Sequence, residues 1–344
     1  DIWHSGPVEQ LIAVGVDTLL CINASPYDYT KQEQRIALLK EHARKGLSIV
    51  YVNLVGGQDD LVFDGQSLAL DKTGKIRARL PAFIEANNTI TLSGQQIHGP
   101  MSPQQKQEES IYNALVLSTR DYIKKNNFPG VLIGLSGGVD SALTLAIAVD
   151  ALGANQVHAV IMPSRFTAAM SIQDAKKQAE IMQVKNTLLS IEPAFAAFLA
   201  MLTEPFKGFP PNVAEENLQA RIRGMLLMAL SNKTGSIVLT TSNKSESAVG
   251  YATLYGDMAG GFCVLKDVLK TQVYALACYR NSLSNVIPDR VLTRAPSAEL
   301  AENQTDQDSL PPYPVLDAII QAYVENNQDA EAIIAQGRDA ELVQ

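Results

Sequence analysis

The chain has 344 residues, of which 46% are hydrophobic and 19% charged, and its formal net charge is −8 at pH 7. This length allows two domains with a core each, and the composition is that of a soluble globular protein. The negative charge argues against nucleic acid or an anionic membrane as a partner, and no apolar run of about 18 residues predicts a membrane span.

The first 86 residues alternate short apolar runs with one helical stretch. TLLCIN, SIVYVNLV and SLALD predict strands, and the stretch from Gln32 to Lys45 predicts a helix. GGQDDLVFDGQSLALDKTGK predicts a series of β-hairpins with Gly and Asp turns. This part of the chain is therefore expected to be a mixed α/β structure.

The three cysteines are Cys21, Cys263 and Cys278, too few and too scattered for a disulfide framework or a zinc site. Cys21 lies inside the first predicted strand, where a packed thiol is expected. No signal peptide is visible. These features favour a cytoplasmic location.

Strands and helices alternate in the second part of the chain. The polar stretch 87–107 contains a predicted linker, HGPMSPQQKQ, and a helix follows from about Glu108 to Asn126. The runs VLIGL, VHAVIMP, NTLLSIE and GSIVLTT predict strands, and SIQDAKKQAEIMQV and ENLQARIRGMLLMALSNKT predict helices between them. Such alternation predicts a parallel sheet with helices on both faces, and ligands of such sheets bind at the carboxyl ends of the strands.

The motif SGGVDS, residues 136–141, occupies the turn between a predicted strand and a predicted helix. Glycines let the backbone approach a ligand, and the N–H groups at a helix start favour an anion such as phosphate. Ser136 and Ser141 add hydroxyl donors, while the carboxylate of Asp140 fits a phosphate site if a divalent cation bridges them. A glycine-rich turn without a ligand is the alternative. The Walker pattern and the G-x-G-x-x-G fingerprint are both absent.

A second polar motif, TTSNKSE, follows the fourth predicted strand. Its Glu246 is expected either to complete a magnesium site with Asp140 or, like Ser245, to cap a helix. Lys270, in VLKDVLKTQ, is expected either to reach phosphate or to be a solvated helix charge.

Taken together, these motifs resemble a known family. GLSGGVDS resembles the loop of the adenine-nucleotide α-hydrolase fold, in which ATP is split between its α- and β-phosphates. ENLQARIRG, TTSNKSE, GYATLYGDMAGGF and APSAELAENQTDQDSLPPY resemble NAD synthetases and cover most of residues 108–317. The resemblance implies a Rossmann-like parallel-sheet domain that amidates deamido-NAD with ATP and Mg²⁺ through an adenylated intermediate, releasing AMP and pyrophosphate.

The resemblance also assigns roles to individual residues. ATP would be bound by Gly134, Leu135, Ser136, Gly137, Gly138, Val139, Asp140, Ser141, Thr241 and Lys270. Deamido-NAD would be bound by Asn217, Glu246 and Asp257, and Mg²⁺ by Asp140 and Glu246. Arg221 and Arg223 are expected either to pair with anions or to lie on a solvated helix face.

The N-terminal strings, from DIWHSGPVEQ through VFDGQS, resemble the second half of a nitrilase-like αββα glutaminase domain, the partner of glutamine-dependent NAD synthetases. Ser25 and Lys31 match the positions that hold glutamine. The family's glutaminase Glu, Lys and Cys lie outside this chain, and Cys21 does not match the nucleophile. These 344 residues are therefore expected to use ammonium, and the intact enzyme to draw ammonia from glutamine.

The predicted organisation is a partial glutaminase domain at 1–95, a linker at 96–107 and a synthetase domain at 108–344. Transfer of ammonia between domains needs a fixed arrangement, which favours a homo-oligomer. The basic C-terminal segment that usually helps to hold the dinucleotide in this family is missing from the sequence, which ends at RDAELVQ.

Two other classes of protein remain open. One is another ATP pyrophosphatase, such as GMP synthetase, an asparagine synthetase or a tRNA-thiolating enzyme, although the last would need functional cysteines and a basic RNA-binding face. The other is a non-catalytic module that binds ATP through the same loop, which would not need the motifs around Glu246.

Overall fold

The computed structural model describes residues 2–94 and 96–344, and of residue 5 only the backbone. The chain divides into two compact units, Asp1–Lys125 and Asn126–Gln344. Residue 95, the predicted end of the first domain, lies outside the described residues.

The first unit is a mixed α/β structure. In chain order its elements are α1 (Ser5–Ala13), β1 (Thr18–Asn23), α2 (Lys31–Ala43), β2 (Ser48–Asn53), β3 (Val55–Gln58), β4 (Leu61–Asp64), β5 (Leu68–Leu70), β6 (Ile76–Arg79), β7 (Thr91–Ser93), β8 (Gln96–His98) and α3 (Gln107–Lys125).

Its main sheet has the strand order β1-β2-β5-β6, with β1 and β2 parallel and the other pairs antiparallel. Helix α2 packs on this sheet, because Leu39 and Ala43 join a core with Ile49, Leu68 and Leu70. Strands β3 and β4 form one of the predicted hairpins, and β5 and β6 form another. The expected strands and hairpins of this unit are therefore confirmed.

The segment predicted as a linker, 96–107, is partly structured. Strand β8 pairs with β7 in a hairpin, and its Ile97 is buried against Ala69 and Ala78. Helix α3 then packs on β3 and β4, where Gly57 donates its N–H to Asp121. By its contacts α3 thus joins the first unit, while the domain boundaries at 95 and 107 stay a prediction.

A buried ion pair lies at the centre of the first unit. Both oxygens of Asp64 accept from the Arg35 guanidinium, at 2.7 and 2.8 Å, and both side chains are almost fully buried. Arg35 also donates to the hydroxyl and the carbonyl of Ser25, and the amide of Asn53 bonds the Ser25 backbone. This network fixes the loop between β1 and α2.

The second unit carries the remaining elements. In chain order they are β9 (Val131–Gly134), α4 (Val139–Leu152), β10 (Val157–Ile161), α5 (Ala169–Ile181), β11 (Lys185–Leu188), α6 (Glu192–Leu202), α7 (Val213–Thr234), β12 (Ile237–Thr240), α8 (Lys244–Ala248), β13 (Phe262–Cys263), α9 (Lys270–Leu283), α10 (Asp289–Thr293), α11 (Tyr313–Ile320), α12 (Ala330–Ala335) and α13 (Ala340–Val343).

The sheet of this unit is fully parallel, with the order β11-β10-β9-β12-β13. Helices α6 and α7 pack on one face, where Leu132, Val160 and Val238 join Phe195 and Leu227 in one core. Helices α4, α5 and α9 pack together on the other face. The predicted parallel sheet with helices on both faces is confirmed.

The chain leaves β9 toward β10 and later returns to the other side of β9 with β12. This reversal of strand order opens a crevice at the carboxyl ends of the strands, which is where doubly wound sheets bind their ligands. The loop between β9 and α4, which together with the first turn of α4 carries SGGVDS, lies at this switch point.

We expect Arg35→Met to lower the free energy of unfolding of the first unit by about 3–5 kcal/mol, because it leaves the buried Asp64 charge without its partner. Trp3 is the only tryptophan of the chain, so urea unfolding followed by its fluorescence reports on this unit. Lys45→Met is the matched control, since Lys45 pairs with Glu9 at 3.6 Å on the surface; its cost should stay below about 1 kcal/mol. Equal costs for both variants would contradict the expectation.

Candidate functional site

A cavity of about 300 Å³ opens at the switch point of the second unit. Its lining includes the whole 134–141 segment that the sequence predicted as the ATP loop, together with Thr241, Glu246, Asp257 and Lys270. Most of the predicted nucleotide residues are therefore brought together in one cavity.

The loop between β9 and α4 is shaped by close backbone packing. Gly137 has φ +86°, and a Cβ there would lie 2.3 Å from the carbonyl oxygen of Ser171, at the start of α5. Only glycine fits this position, because a side chain would meet both the unfavourable φ and the neighbouring backbone. The carbonyl of Ser171 thus sets the path of the loop.

The two serines of the motif, Ser136 in the loop and Ser141 in the first turn of α4, play different parts. The buried Ser141 hydroxyl donates to the Gly138 carbonyl and accepts the Ser136 N–H, so it holds the loop together. Ser136 is exposed to the cavity, and its hydroxyl lies 3.0 Å from that of Ser141. Of the two predicted hydroxyl donors, Ser136 is the one placed to meet a ligand.

Helix α4 begins directly after this loop. The N–H groups of its first turn lack partners inside the helix, and its positive dipole end faces the cavity. Its cap residue, Gly138, offers no side-chain cap. This helix start is therefore suited to an anionic group.

Two carboxylates meet one ammonium group beside the loop. The Nζ atom of Lys270, the first residue of α9, donates to Asp140 Oδ2 at 2.6 Å and to Glu246 Oε1 at 2.9 Å. Only 3% of the Lys270 side chain is exposed, so the ammonium is desolvated and its contacts with the two acids are scarcely screened. Lys270 is therefore not a solvated helix charge.

These contacts shift the pKa values of the cluster. Burial and the charge of Asp140 raise the pKa of Glu246 to about 7, although Lys270 opposes the shift. Burial acts to lower the pKa of Lys270, but the charges of Asp140 and Glu246 outweigh burial and raise it. The lysine thus stays protonated, and the cluster carries a net negative charge when both acids are ionised.

Asn243 holds this cluster in place. Its amide nitrogen donates to Asp140 Oδ1 at 2.8 Å, and its amide oxygen accepts the N–H of Glu246 at 2.9 Å. Asn243 is thus the N-cap of α8. Glu246 itself is not the cap, because its carboxylate points to Lys270. The Ser245 hydroxyl instead accepts the N–H of Lys270, at the start of α9.

Asn217 and Asp257 both act on Thr253. The Thr253 hydroxyl donates to Asn217 at 2.8 Å, and the Thr253 N–H donates to Asp257 at 2.7 Å. Asp257 lines the cavity, whereas Asn217 is not part of its lining.

The two predicted anion-binding arginines are separated. Arg223 lines the cavity and donates to the carbonyl of Met162, and burial lowers its pKa to about 10. Arg221 lies on the exposed side of α7 and donates to the Leu254 carbonyl. Of these two arginines, Arg223 is therefore the one that lines the cavity.

Several lining residues carried no specific role in the sequence prediction. The Ser171 hydroxyl bonds both Arg294 and Glu299, and these two also pair with each other. Asp306 accepts from the hydroxyls of Tyr251 and Tyr313. Glu299, Asp306 and Tyr313 belong to APSAELAENQTDQDSLPPY, a motif that indicated only a family resemblance, because nothing local in it predicts a position beside a loop so much earlier in the chain.

The predicted glutamine residues lie in the first unit, apart from this cavity's lining. Ser25 is buried in the Arg35 network, and the ammonium of Lys31 lies 4.1 Å from the ring centroid of Trp3. Cys21 is a free thiol packed against the core, as its strand context predicted.

A doubly wound parallel sheet with a helix start facing a cavity at its switch point is the architecture of nucleotide-binding α/β proteins. Comparison with known sequences is more specific, since the sequence model of the family described as NAD synthase matches residues 111–344. The chain belongs to the NAD synthase family.

Similar proteins agree with this assignment. The glutamine-dependent NAD(+) synthetase of Acinetobacter baylyi is 49% identical over 350 residues, covering all of this chain and 65% of that protein, and that of Xylella fastidiosa is 49% identical over 64% of its length. The chain thus spans slightly less than two thirds of the length of these relatives.

Solved structures show the same fold. The Acinetobacter baumannii glutamine-dependent NAD+ synthetase, in complex with ADP, has a TM-score of 0.83 and 49% identity, over 100% of this chain and 64% of that one. The NMN synthetase of Francisella tularensis has a TM-score of 0.57 and 32% identity, over 64% of this chain and 87% of that one.

We expect Gly137→Ala to destabilise the second unit more than Gly208→Ala. Both glycines have a φ near +87°, but a Cβ at Gly208 meets no atom within 4 Å. Gly208→Ala should therefore cost about 1–2 kcal/mol from backbone strain, and Gly137→Ala about 1–3 kcal/mol more from the clash with Ser171. Thermal unfolding of the two variants measures the difference, and equal melting temperatures would show that the loop is free to move away from Ser171.

Proposed function

We propose that the chain carries out the ATP-dependent amidation of deamido-NAD to NAD, as a carbon–nitrogen ligase of NAD biosynthesis. The observation that carries this proposal is the Asp140–Lys270–Glu246 cluster beside the start of α4, in the cavity at the switch point. The names of the relatives and the ADP in the Acinetobacter baumannii structure support it.

In the first step, a carboxylate oxygen of the nicotinate ring attacks the α-phosphorus of ATP, and pyrophosphate leaves with the bridging oxygen. The N–H groups at the start of α4 and the Ser136 hydroxyl are the donors for the departing phosphates. Lys270 supplies positive charge beside them. Thr241 at the end of β12 lines the same cavity and would contact ATP.

In the second step, ammonia attacks the carboxyl carbon of the adenylate, the nitrogen loses one proton to solvent, and AMP leaves with the electrons of the broken C–O bond. The reaction needs no covalent enzyme intermediate, so the residues mainly orient the two reactants and exclude water. We assign Glu246 and Asp257 to contact with deamido-NAD in the cavity, whereas Asn217, which is not part of the lining, would act on deamido-NAD through the Thr253 hydroxyl that it holds.

The two acids also fit a Mg²⁺ ion. Their oxygens already surround one cation, the Lys270 ammonium, at 2.6 and 2.9 Å, and carboxylates are the hard ligands that Mg²⁺ prefers. Within the described residues no group of three or more His, Cys, Asp or Glu side chains is arranged to hold a metal, so phosphate oxygens and water must complete the shell. When bound, Mg²⁺ would neutralise charge on the departing pyrophosphate.

The first unit would serve as part of a nitrilase-like glutaminase domain. Ser25 and Lys31 would contact glutamine, and the buried Arg35 network would hold Ser25 in position. Ammonia released from glutamine in the intact enzyme would then supply the second step.

A second copy of the chain is the proposed partner. Met225 and Tyr255 are 64% and 77% exposed, and they lie on neighbouring elements because Gly224 of α7 packs against the carbonyls of residues 255 and 256. The proposal of a second copy rests on these two exposed apolar side chains and on the fixed domain arrangement that transfer of ammonia would need. Within the described residues no helix is long and apolar enough to cross a bilayer. The three free thiols fit the proposed cytoplasmic location.

The substrate assignment is tested by ATP–pyrophosphate exchange with Mg²⁺ and one acid at a time. Deamido-NAD should support exchange and, with ammonium, yield NAD. Nicotinate mononucleotide, xanthosine monophosphate and aspartate test the NMN synthetase, GMP synthetase and asparagine synthetase alternatives. Exchange with one of these acids and not with deamido-NAD would overturn the proposal, and ATP binding without exchange would indicate a non-catalytic module.

We expect Glu246→Gln to lower turnover roughly 10²-fold, which corresponds to about 3 kcal/mol of transition-state stabilisation. The substitution keeps the shape but removes an anionic ligand for Mg²⁺, so raised Mg²⁺ should restore part of the activity. The melting temperature should fall only modestly, because Asp140 still pairs with Lys270, the glutamine amide oxygen can still accept from the ammonium, and Asn243 still caps α8. Normal activity with an unchanged Mg²⁺ dependence would remove Glu246 from the proposed metal site.

A further inference from the structure

Asp317, on α11, is a buried carboxylate that lies outside the lining of the cavity. One of its oxygens accepts from the hydroxyl of Ser245, and the other accepts from both the N–H and the hydroxyl of Thr271, at 2.8 and 2.7 Å. A single side chain therefore joins two helices, α8 through Ser245 and α9 through Thr271.

Both contacts are one residue away from the charged cluster. Ser245 precedes Glu246 in α8, and Thr271 follows Lys270 in α9. The Ser245 hydroxyl also accepts the N–H of Lys270 at 2.8 Å, so Asp317, Ser245 and the start of α9 form one buried chain of hydrogen bonds. The distance between Glu246 and Lys270 is thereby tied to the position of Asp317.

Helix α11 also contacts the end of the Lys270 side chain. Tyr313 lies one turn before Asp317, and the Lys270 Nζ atom is 5.2 Å from the centroid of its ring. The Tyr313 hydroxyl donates to Asp306 at 2.7 Å, which fixes the ring. Leu316 and Ile320 anchor the same helix in a core with Leu269, the residue before Lys270. Helix α11 thus holds both the backbone and the ammonium of Lys270.

We propose that Asp317 is a positioning residue, which holds Lys270 and Glu246 at the separation needed to receive the nucleotide phosphates. The proposal rests on the proposed function for the role of Lys270, but the structural part of it is independent of the reaction. Asp317 lies outside the lining of the cavity and acts through Ser245 and the first turn of α9.

The test is a double-mutant cycle read out as ADP affinity by calorimetry, with Asp317→Asn, Lys270→Met and the double variant. The introduced side-chain amide would present donors to groups that are donors themselves, so we expect a roughly tenfold weaker affinity in the Asp317→Asn variant. In the Lys270→Met background, Asp317→Asn should weaken ADP binding less than about twofold, because the ammonium group that Asp317 positions is no longer present. Equal effects in both backgrounds would show a merely structural role and overturn the proposal.

Asp329→Asn is the matched control. Asp329 also accepts an N–H at a helix start, that of Ala332, but in α12 and outside the lining of the cavity. It should leave ADP affinity unchanged. A tenfold loss in this variant as well would mean that any weakened helix in this part of the chain disturbs binding, which would overturn the specific role of Asp317.

Hydrogen exchange of the segment 264–275 provides a readout that does not depend on nucleotide binding. Asp317→Asn should speed exchange at the start of α9, and Asp329→Asn should not. Thr271→Val, which removes only one of the three donors, serves if Asp317→Asn does not fold, and it should show a smaller increase. Unchanged exchange would overturn the proposal. Faster exchange in a chain whose wild type neither binds ADP nor forms NAD would instead refute the proposed function alone.

Discussion

A desolvated ammonium group between two carboxylates is the interaction on which the second unit depends. A buried charge is costly unless it is paired and hydrogen-bonded, so Lys270 requires Asp140 and Glu246 at hydrogen-bond distance. These three residues come from the starts of α4, α8 and α9. The pairing of Lys270 with the two acids therefore fixes the starts of α4, α8 and α9 relative to one another.

The parallel sheet brings these residues close enough together to meet this requirement. Strands β9 and β12 are neighbours, and both end at the same edge, so the segments that follow them begin side by side. Asn243 bridges these two segments by bonding both Asp140 and the backbone of Glu246. The strand order thus brings the charged residues of the proposed nucleotide site together at one edge of the sheet.

The sequence predicts the sheet well and the cluster only in part. The strands are short apolar runs between amphipathic helices, a pattern that is local and therefore readable. In contrast, the motif around Glu246 fits a helix cap and a metal ligand equally; the side chain of Asn243 shows that Glu246 is not the cap, and the metal-ligand role stays a prediction. The pairing of Lys270 with Asp140 and the role of Asp317 involve residues far apart in the chain, which no local pattern encodes. Strand β8 lies in the segment that was predicted as a linker. Ile97 is its one buried residue, so its short sequence shows no clear pattern of a strand.

The long separations within the cluster also bear on how the protein folds. Asp140 and Lys270 are 130 residues apart, and Ser245 and Asp317 are 72 apart. Contacts of such separation form late, because the loops that they close are entropically expensive. During synthesis, a nascent chain that is long enough to form the sheet does not yet include α11. Lys270 then lacks the contacts that α11 makes with the start of α9. The cavity is thus completed only when the residues up to about 320 have left the ribosome, and the proposed nucleotide would stabilise the fold only from that point onward.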